Sequence, residues 1–189
     1  MRLPVLLSVV LMALNANAQD DGEIGRAPRY TIRTQFAGMQ GLISGGMLWN
    51  LPDGRLRLGA MYGYDPGRYG GTDLHAAILR ANGSWFPIHQ PRIGKWSVSP
   101  IASLSAMLEL GGITFLTLPD QYPAGFYSPQ SIHGLLGLGI GAGRINSEGG
   151  WLLTAEAVSL DTYLWYGLSQ RQVKFTQLWN LALGVEYYF

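Results

Sequence analysis

From Val173 to Phe189 the chain changes character at every step. One phase reads Val173, Phe175, Gln177, Trp179, Leu181, Leu183, Val185, Tyr187, Phe189, and the other reads Lys174, Thr176, Leu178, Asn180, Ala182, Gly184, Glu186, Tyr188. Period two is the period of a strand, because successive side chains leave the pleat on opposite faces. Trp96, Val98, Ala102, Leu104, Ala106, Leu108 and Leu110 alternate in the same way with Ser97, Ser99, Ser103, Ser105 and Glu109. So do Leu56, Leu58, Ala60, Tyr62 and Tyr64 with Arg55, Arg57, Gly59, Met61 and Gly63. Ile132, Leu136, Leu138, Ile140 and Ala142 oppose Ser131, His133 and the glycines at 137, 139, 141 and 143. None of these segments carries the 3.6-residue period of a helix.

Alternation leaves open which face is inside. A soluble barrel hides its apolar face, whereas a membrane barrel turns it to lipid. The polar phase here is also the Gly, Ser and Ala phase, as a narrow interior requires. Trp49, Trp85, Trp96 and Trp151 flank proposed turns at one end, in the manner of an interfacial girdle. Charged residues make up 13% of the chain, about half of what a soluble domain carries. Together these features predict an all-β, eight-stranded antiparallel up-and-down transmembrane β-barrel.

The N-terminus reads as an address. Arg2 precedes the apolar stretch from Leu3 to Leu14, and Asn15-Ala16-Asn17-Ala18 then offers small residues before Gln19. That order is a secretory signal peptide over 1–18. It leaves a polar periplasmic lead-in over 19–29 and a barrel over 30–189, and it implies the bacterial outer membrane. With 13 Lys and Arg against 12 Asp and Glu there is no basic excess for nucleic acid, and with no Cys there is no disulfide framework.

Tight connections are expected at 52–54, 87–95 and 146–150, and longer ones at 65–73, 111–130 and about 161–171. The strands between them fall at 30–37, 42–50, 55–64, 74–86, 96–110, 131–143, 151–160 and 172–189. Membrane barrels carry short turns at the periplasmic end and long loops outside, with an even strand number. Strands of about 9–11 membrane residues fit this length.

In length and pattern the chain resembles the small eight-stranded bacterial outer-membrane barrels. Its final strand, with Tyr187 and Phe189, is similar to the C-terminal signature that their assembly machinery reads. Gly45-Gly46 through Ala60-Met61-Tyr62-Gly63-Tyr64-Asp65 is spaced as in lipid A palmitoyltransferase. That family needs a His on its first strand and an Asp-Ser pair after this segment. Here the first strand has no His, and Asp65 is followed by Pro66. Lipid A 3-O-deacylase, another such barrel, has a His-x-Ser pair and a Glu, while here the order is Ser131-x-His133.

Ser131, His133 and Glu109 share the inward phase near the external end, and they are the candidate catalytic set for acyl chemistry. The obstacle is spacing, since i,i+2 side chains on a strand stand roughly 6–7 Å apart, beyond hydrogen-bond reach. Arg33, Arg57, Arg80 and Lys174 fall on inward phases with Glu109, Glu156 and Glu186. Arg33 and Glu186 lie on strands that meet at closure and form the expected lumen pair, with Arg57 as the alternative partner. His75, His89 and His133 are too dispersed for a metal site, and no cofactor is implied. Asp65, Asp73, Asp120 and Asp161 fall in proposed external loops. The favoured reading is a monomeric barrel with a structural, surface-interaction or membrane-integrity role, whose partners are outer-membrane lipid, lipopolysaccharide and the barrel assembly machinery. A lipid A acyl-modifying enzyme and a narrow channel are the alternatives.

Overall fold

The computed structural model describes residues 28–52, 54–84, 92–93, 96–111, 131–146, 148–169 and 174–189. The signal segment 1–18, most of the lead-in 19–29, Trp85, His89 and Asp120 lie outside the described residues. The elements are β1 (Tyr30–Ala37), β2 (Ile43–Asn50), β3 (Leu56–Asp65), α1 (Gly67–Gly70), β4 (Leu74–Ser84), β5 (Arg92–Ile93), β6 (Trp96–Gly111), β7 (Ile132–Asn146), β8 (Gly149–Leu160), α2 (Asp161–Ser169) and β9 (Asn180–Tyr188). A short 3-10 turn covers Phe175–Gln177.

The sheet order is β4-β3-β2-β1-β9-β8-β7-β6-β5, and β4 also pairs with β6. That last pairing closes eight long antiparallel strands into an up-and-down barrel. The two-residue β5 pairs with Trp96 and Ser97 at the base of β6. Closure joins first strand to last, with Arg33 opposite Glu186 and Phe36 opposite Leu183. One end of the barrel carries the β2–β3 and β7–β8 turns with Tyr30 and Phe189 (the turn end). The opposite end carries α1, α2 and the β1–β2 connection (the loop end).

Burial is reversed relative to a water-soluble protein. Leu79, Ile140, Leu181 and Phe36 are 67%, 58%, 61% and 54% exposed on the outer wall, whereas Arg33 and Glu186 inside are 0% exposed. Trp49 and Trp96 are exposed at the turn end. Trp96 meets Trp151 edge to face, with ring centroids 5.1 Å apart. The interior is layered. Ile101, Leu152 and Tyr188 cluster toward the turn end. Met61, Ala76, Ile78, Met107, Leu135, Val158 and Ala182 form an apolar layer toward the loop end, backed by Met39 and Leu160. Charged residues lie between these layers.

The β7 glycines make room for those charges. A Cβ on Gly139 would come within 2.2 Å of the Ala155 carbonyl oxygen and 2.6 Å of Glu156 Cγ. The β1–β2 connection turns sharply, with positive φ at Ala37, Gly38, Met39 and Gly41 (61°, 84°, 62° and 99°). The Ala37 N–H donates to the Leu42 carbonyl at 2.9 Å, and Gln40 is fully buried.

β7 runs to Asn146 and β8 starts at Gly149, each beyond its expected bound, but the largest departure from expectation is in the last strand. The strand expected over 172–189 begins at Asn180, because β8 ends at Leu160 and its ladder with β9 stops at Val158 opposite Asn180. Residues upstream have alternation but no β8 ladder to join. The segment 161–169 is helical, and Leu178 is buried with its side chain against Gly167 of that helix. Lys174, expected to face inward, is exposed instead.

Candidate functional site: a charged lumen and a loop-end cup

The inward phases of β1, β3, β4, β8 and β9 bring five charged side chains into one layer. Arg33 Nη1 donates to Glu186 Oε1 at 2.6 Å, and its Nη2 donates to Glu156 Oε1 at 2.5 Å. Arg80 Nη2 reaches Glu156 Oε2 at 2.5 Å, and Arg57 pairs with Glu186. Arg33 and Glu186, and Arg57 as a further partner of Glu186, are therefore brought together, and each carboxylate is shared by two guanidiniums.

Neutral polar groups complete the layer. Tyr188 OH and Asn82 Nδ2 donate to Glu186 at 2.8 Å and 3.3 Å, and Ser103 Oγ donates to Glu156 at 3.0 Å. Gln35 accepts from Arg33 Nη2 at 2.7 Å, and Asn82 accepts from Arg80 Nε at 2.6 Å. Gln40 links Gln35 and Arg80 to Ser105 at 3.2–3.4 Å. The Arg57 guanidinium also lies 5.5 Å from the centre of the Tyr188 ring. Buried charges need such saturation, because an uncompensated one is costly. Asn82 and Gln40 were not singled out from sequence. Asn82 shares its phase with Arg80 and could have been found there, whereas Gln40 enters only through the backbone path of the β1–β2 turn.

The candidate catalytic set assembles in part. Ser131, just before β7, and His133 on β7 are buried, and Glu109 stands on β6 beside them. His133 Nε2 is 3.9 Å from Glu109 Oε2, and His133 Nδ1 is 3.8 Å from Asp161 Oδ1 at the start of α2. Both distances exceed the hydrogen-bond range of about 2.7–3.2 Å. Among the described residues no hydrogen bond links Ser131 to His133, and His133 Nδ1 is without a hydrogen-bond partner. The link from Ser131 to this group runs through the backbone, where the Glu109 N–H donates to the Ser131 carbonyl at 2.7 Å. A nucleophile–base relay needs the Ser–His contact, so the arrangement is an imidazole flanked by two carboxylates. Asp161 was assigned to a loop from sequence, and only the helix that starts at it carries it to His133. Among the described residues no cluster of three or more metal-ligating side chains is placed to hold an ion.

Above the apolar layer the loop end opens into a cup of about 380 Å³, whose lining includes Asp65, Glu109, Met39, Met107, Ala76 and Leu160. Beside it, Asp73 Oδ1 accepts hydrogen bonds from the Gly67 N–H at 2.7 Å and from Tyr64 OH at 3.0 Å. These bonds, the Gly67 amide foremost, hold the Asp73 carboxyl below its ordinary pKa. On the outer wall His75 packs against the rings of Tyr62 and Tyr64, and the Tyr62 hydroxyl bonds its Nδ1.

Comparison of the chain with protein-family models, with curated proteins and with solved structures found no match.

Proposed function

We propose that the chain is an outer-membrane barrel with a structural or surface-interaction role, closed to ion flow by its charged lumen. The observation that carries this reading is the reversed burial. Large aliphatic and aromatic side chains ring the outer wall while three arginines and two glutamates are withdrawn inside. Exposed apolar surface on this scale is unfavourable in water and favourable in lipid. The Trp49, Trp96 and Trp151 level then marks the periplasmic interface, and the loop end faces outward. A secretory signal over 1–18 and an assembly signal at Tyr187 and Phe189 belong to the same reading.

The layer of shared ion pairs supports a closed lumen, since the interior of an eight-stranded barrel is narrow enough for side chains to fill. A water-soluble thiol reagent tests orientation and lipid exposure together. Cysteines placed at Leu79, Leu104, Leu138 and Leu183 should resist labelling in intact membranes, while one at Asp73 should label from outside. Efficient labelling of the leucine positions overturns the membrane reading. Single-channel recording of the purified chain in planar bilayers should show no stable conductance, and a steady open level would return the channel. A lipid A mass profile that changes when the gene is removed would favour the acyl-modifying enzyme instead.

A further inference from the structure

We propose that His133 and Asp161 form an acid-strengthened latch that holds α2 against the barrel mouth. A solvent proton taken up by the imidazole closes the latch, and loss of that proton releases it. The inference goes beyond the structural role proposed above, and it does not depend on what surrounds the outer wall.

The position of α2 affects the barrel mouth directly, because the helix carries Tyr163 to the lining of the loop-end cup. Its own packing is light. Tyr163 and Trp165 are 41% and 69% exposed, and no residue of α2 whose burial is described is buried. A helix with so little apolar burial belongs to the low-stability end of a fold, where one interaction can decide its position. Its first residue, Asp161, lies over β7, where a Cβ on Gly134 would come within 3.5 Å of Asp161 Cβ. Farther along, the Leu178 side chain lies against Gly167.

The second observation is the state of the imidazole. His133 is buried, and among the described residues its Nδ1, 3.8 Å from Asp161 Oδ1, has no hydrogen-bond partner. Its Nε2 is 3.9 Å from Glu109 Oε2. A buried polar atom is ordinarily paired. A neutral imidazole has one N–H and cannot serve both sides, whereas the protonated ring donates from both nitrogens. A shift of about 1 Å brings Nδ1 and the Asp161 carboxylate into the range of a charge-assisted hydrogen bond, about 2.7–2.9 Å. Glu109 has a further interaction of its own, so the latch is assigned to Asp161, and Glu109 adds only its nearby charge. The other ionisable groups on the surrounding elements stand apart. Arg80 of β4 and Glu156 of β8 belong to the charged layer below, and Arg144 of β7 is at the turn end, opposite Trp151. Asp65 is on β3, beyond β6 and β4, and His75 of β4 is bonded to Tyr62 on the outer wall. Tyr163 adds one hydroxyl from α2 itself. Imidazoles gain charge between about pH 8 and about pH 5, and aspartates keep theirs down to about pH 4. The latch is therefore strongest at mildly acid pH and weakens as pH rises through the imidazole range.

The test uses the full mature chain in non-ionic micelles, with folding verified first by far-UV circular dichroism and heat-modifiable gel migration. Amide hydrogen exchange of α2 is followed by mass spectrometry at about pH 5.5 and about pH 8. Each rate is divided by the intrinsic exchange rate at the same pH, and β8 serves as the internal control. Protection of α2 should be at least threefold greater at the lower pH, with β8 unchanged. Asp161→Asn removes the charge but keeps a good capping side chain and an acceptor for the Thr162 N–H. It should fold and erase the pH response of α2. His133→Gln should erase it too. Should that buried substitution prevent folding, the variant at the half-exposed Asp161 still decides the matter. Glu109→Gln should retain the response. Protection of α2 that is indifferent to pH, a response that survives Asp161→Asn, or one lost only in Glu109→Gln overturns the proposal.

Discussion

Glu186 receives hydrogen bonds from Arg33, Arg57, Tyr188 and Asn82. Glu186→Gln therefore leaves Arg57 without a carboxylate and Arg33 with Glu156 alone, while Arg33→Met leaves each carboxylate one remaining arginine. Breaking a buried pair costs about 3–5 kcal/mol. The glutamine variant is expected at the upper end of that range and Arg33→Met at the lower, as read from urea unfolding in liposomes. The double variant should cost less than the sum, with a coupling of about 1 kcal/mol or more. Additive losses would mean that the two side chains do not interact. Asp73 calls for a different measurement because it is exposed. Its carboxyl is held below the ordinary value, so between that value and the lowered one the folded chain binds fewer protons than the unfolded chain. The contribution is complete above the ordinary aspartate pKa and is lost as pH falls through the lowered one. The Gly67 amide resonance should follow this titration, and Asp73→Asn should flatten it.

At the scale of single elements, β7 is shaped by what stands across from it. A Cβ on Gly137 would lie 2.2 Å from Ser103 Oγ, a side-chain atom that can rotate away. On Gly139 the nearest atom is the Ala155 backbone oxygen, also at 2.2 Å, which cannot. Overpacking of this kind costs about 1–3 kcal/mol. Gly139→Ala should therefore destabilise more than Gly137→Ala in the same unfolding assay, and the reverse order would show that β7 shifts as a unit. The last strand shows the limit of pattern reading. Alternation runs without a break from Val173, yet β9 starts at Asn180, because side-chain phase does not state where a neighbouring strand ends.

For the whole molecule, the membrane reading places Leu79 near mid-depth and Ile43 near the loop-end boundary. An arginine on the lipid face costs about 2–4 kcal/mol at the midplane and about 0–1 near an interface. Leu79→Arg should accordingly destabilise the chain in liposomes far more than Ile43→Arg does. Equal effects would remove depth as the cause and with it the lipid-facing assignment.

Much of this architecture is determined by sequence alone. Period-two alternation sorts side chains into two faces, and Gly, Pro and Asp punctuate it, so the strands and the inward phase of Arg33, Arg57, Glu156 and Glu186 are legible without coordinates. Parity and closure bring the first strand beside the last and so put Arg33 near Glu186. The strand phase also states in advance why Ser131 and His133, two residues apart, do not meet. Tertiary structure alone decided what depends on the path of backbone between strands. It sent Gln40 into the lumen, turned 161–169 into a helix and set Asp161 against His133. The physical reason is that alternation encodes the face of a residue relative to its own strand. Connections have no such period, and their side chains are placed by whatever space and partners the closed barrel leaves at its mouth.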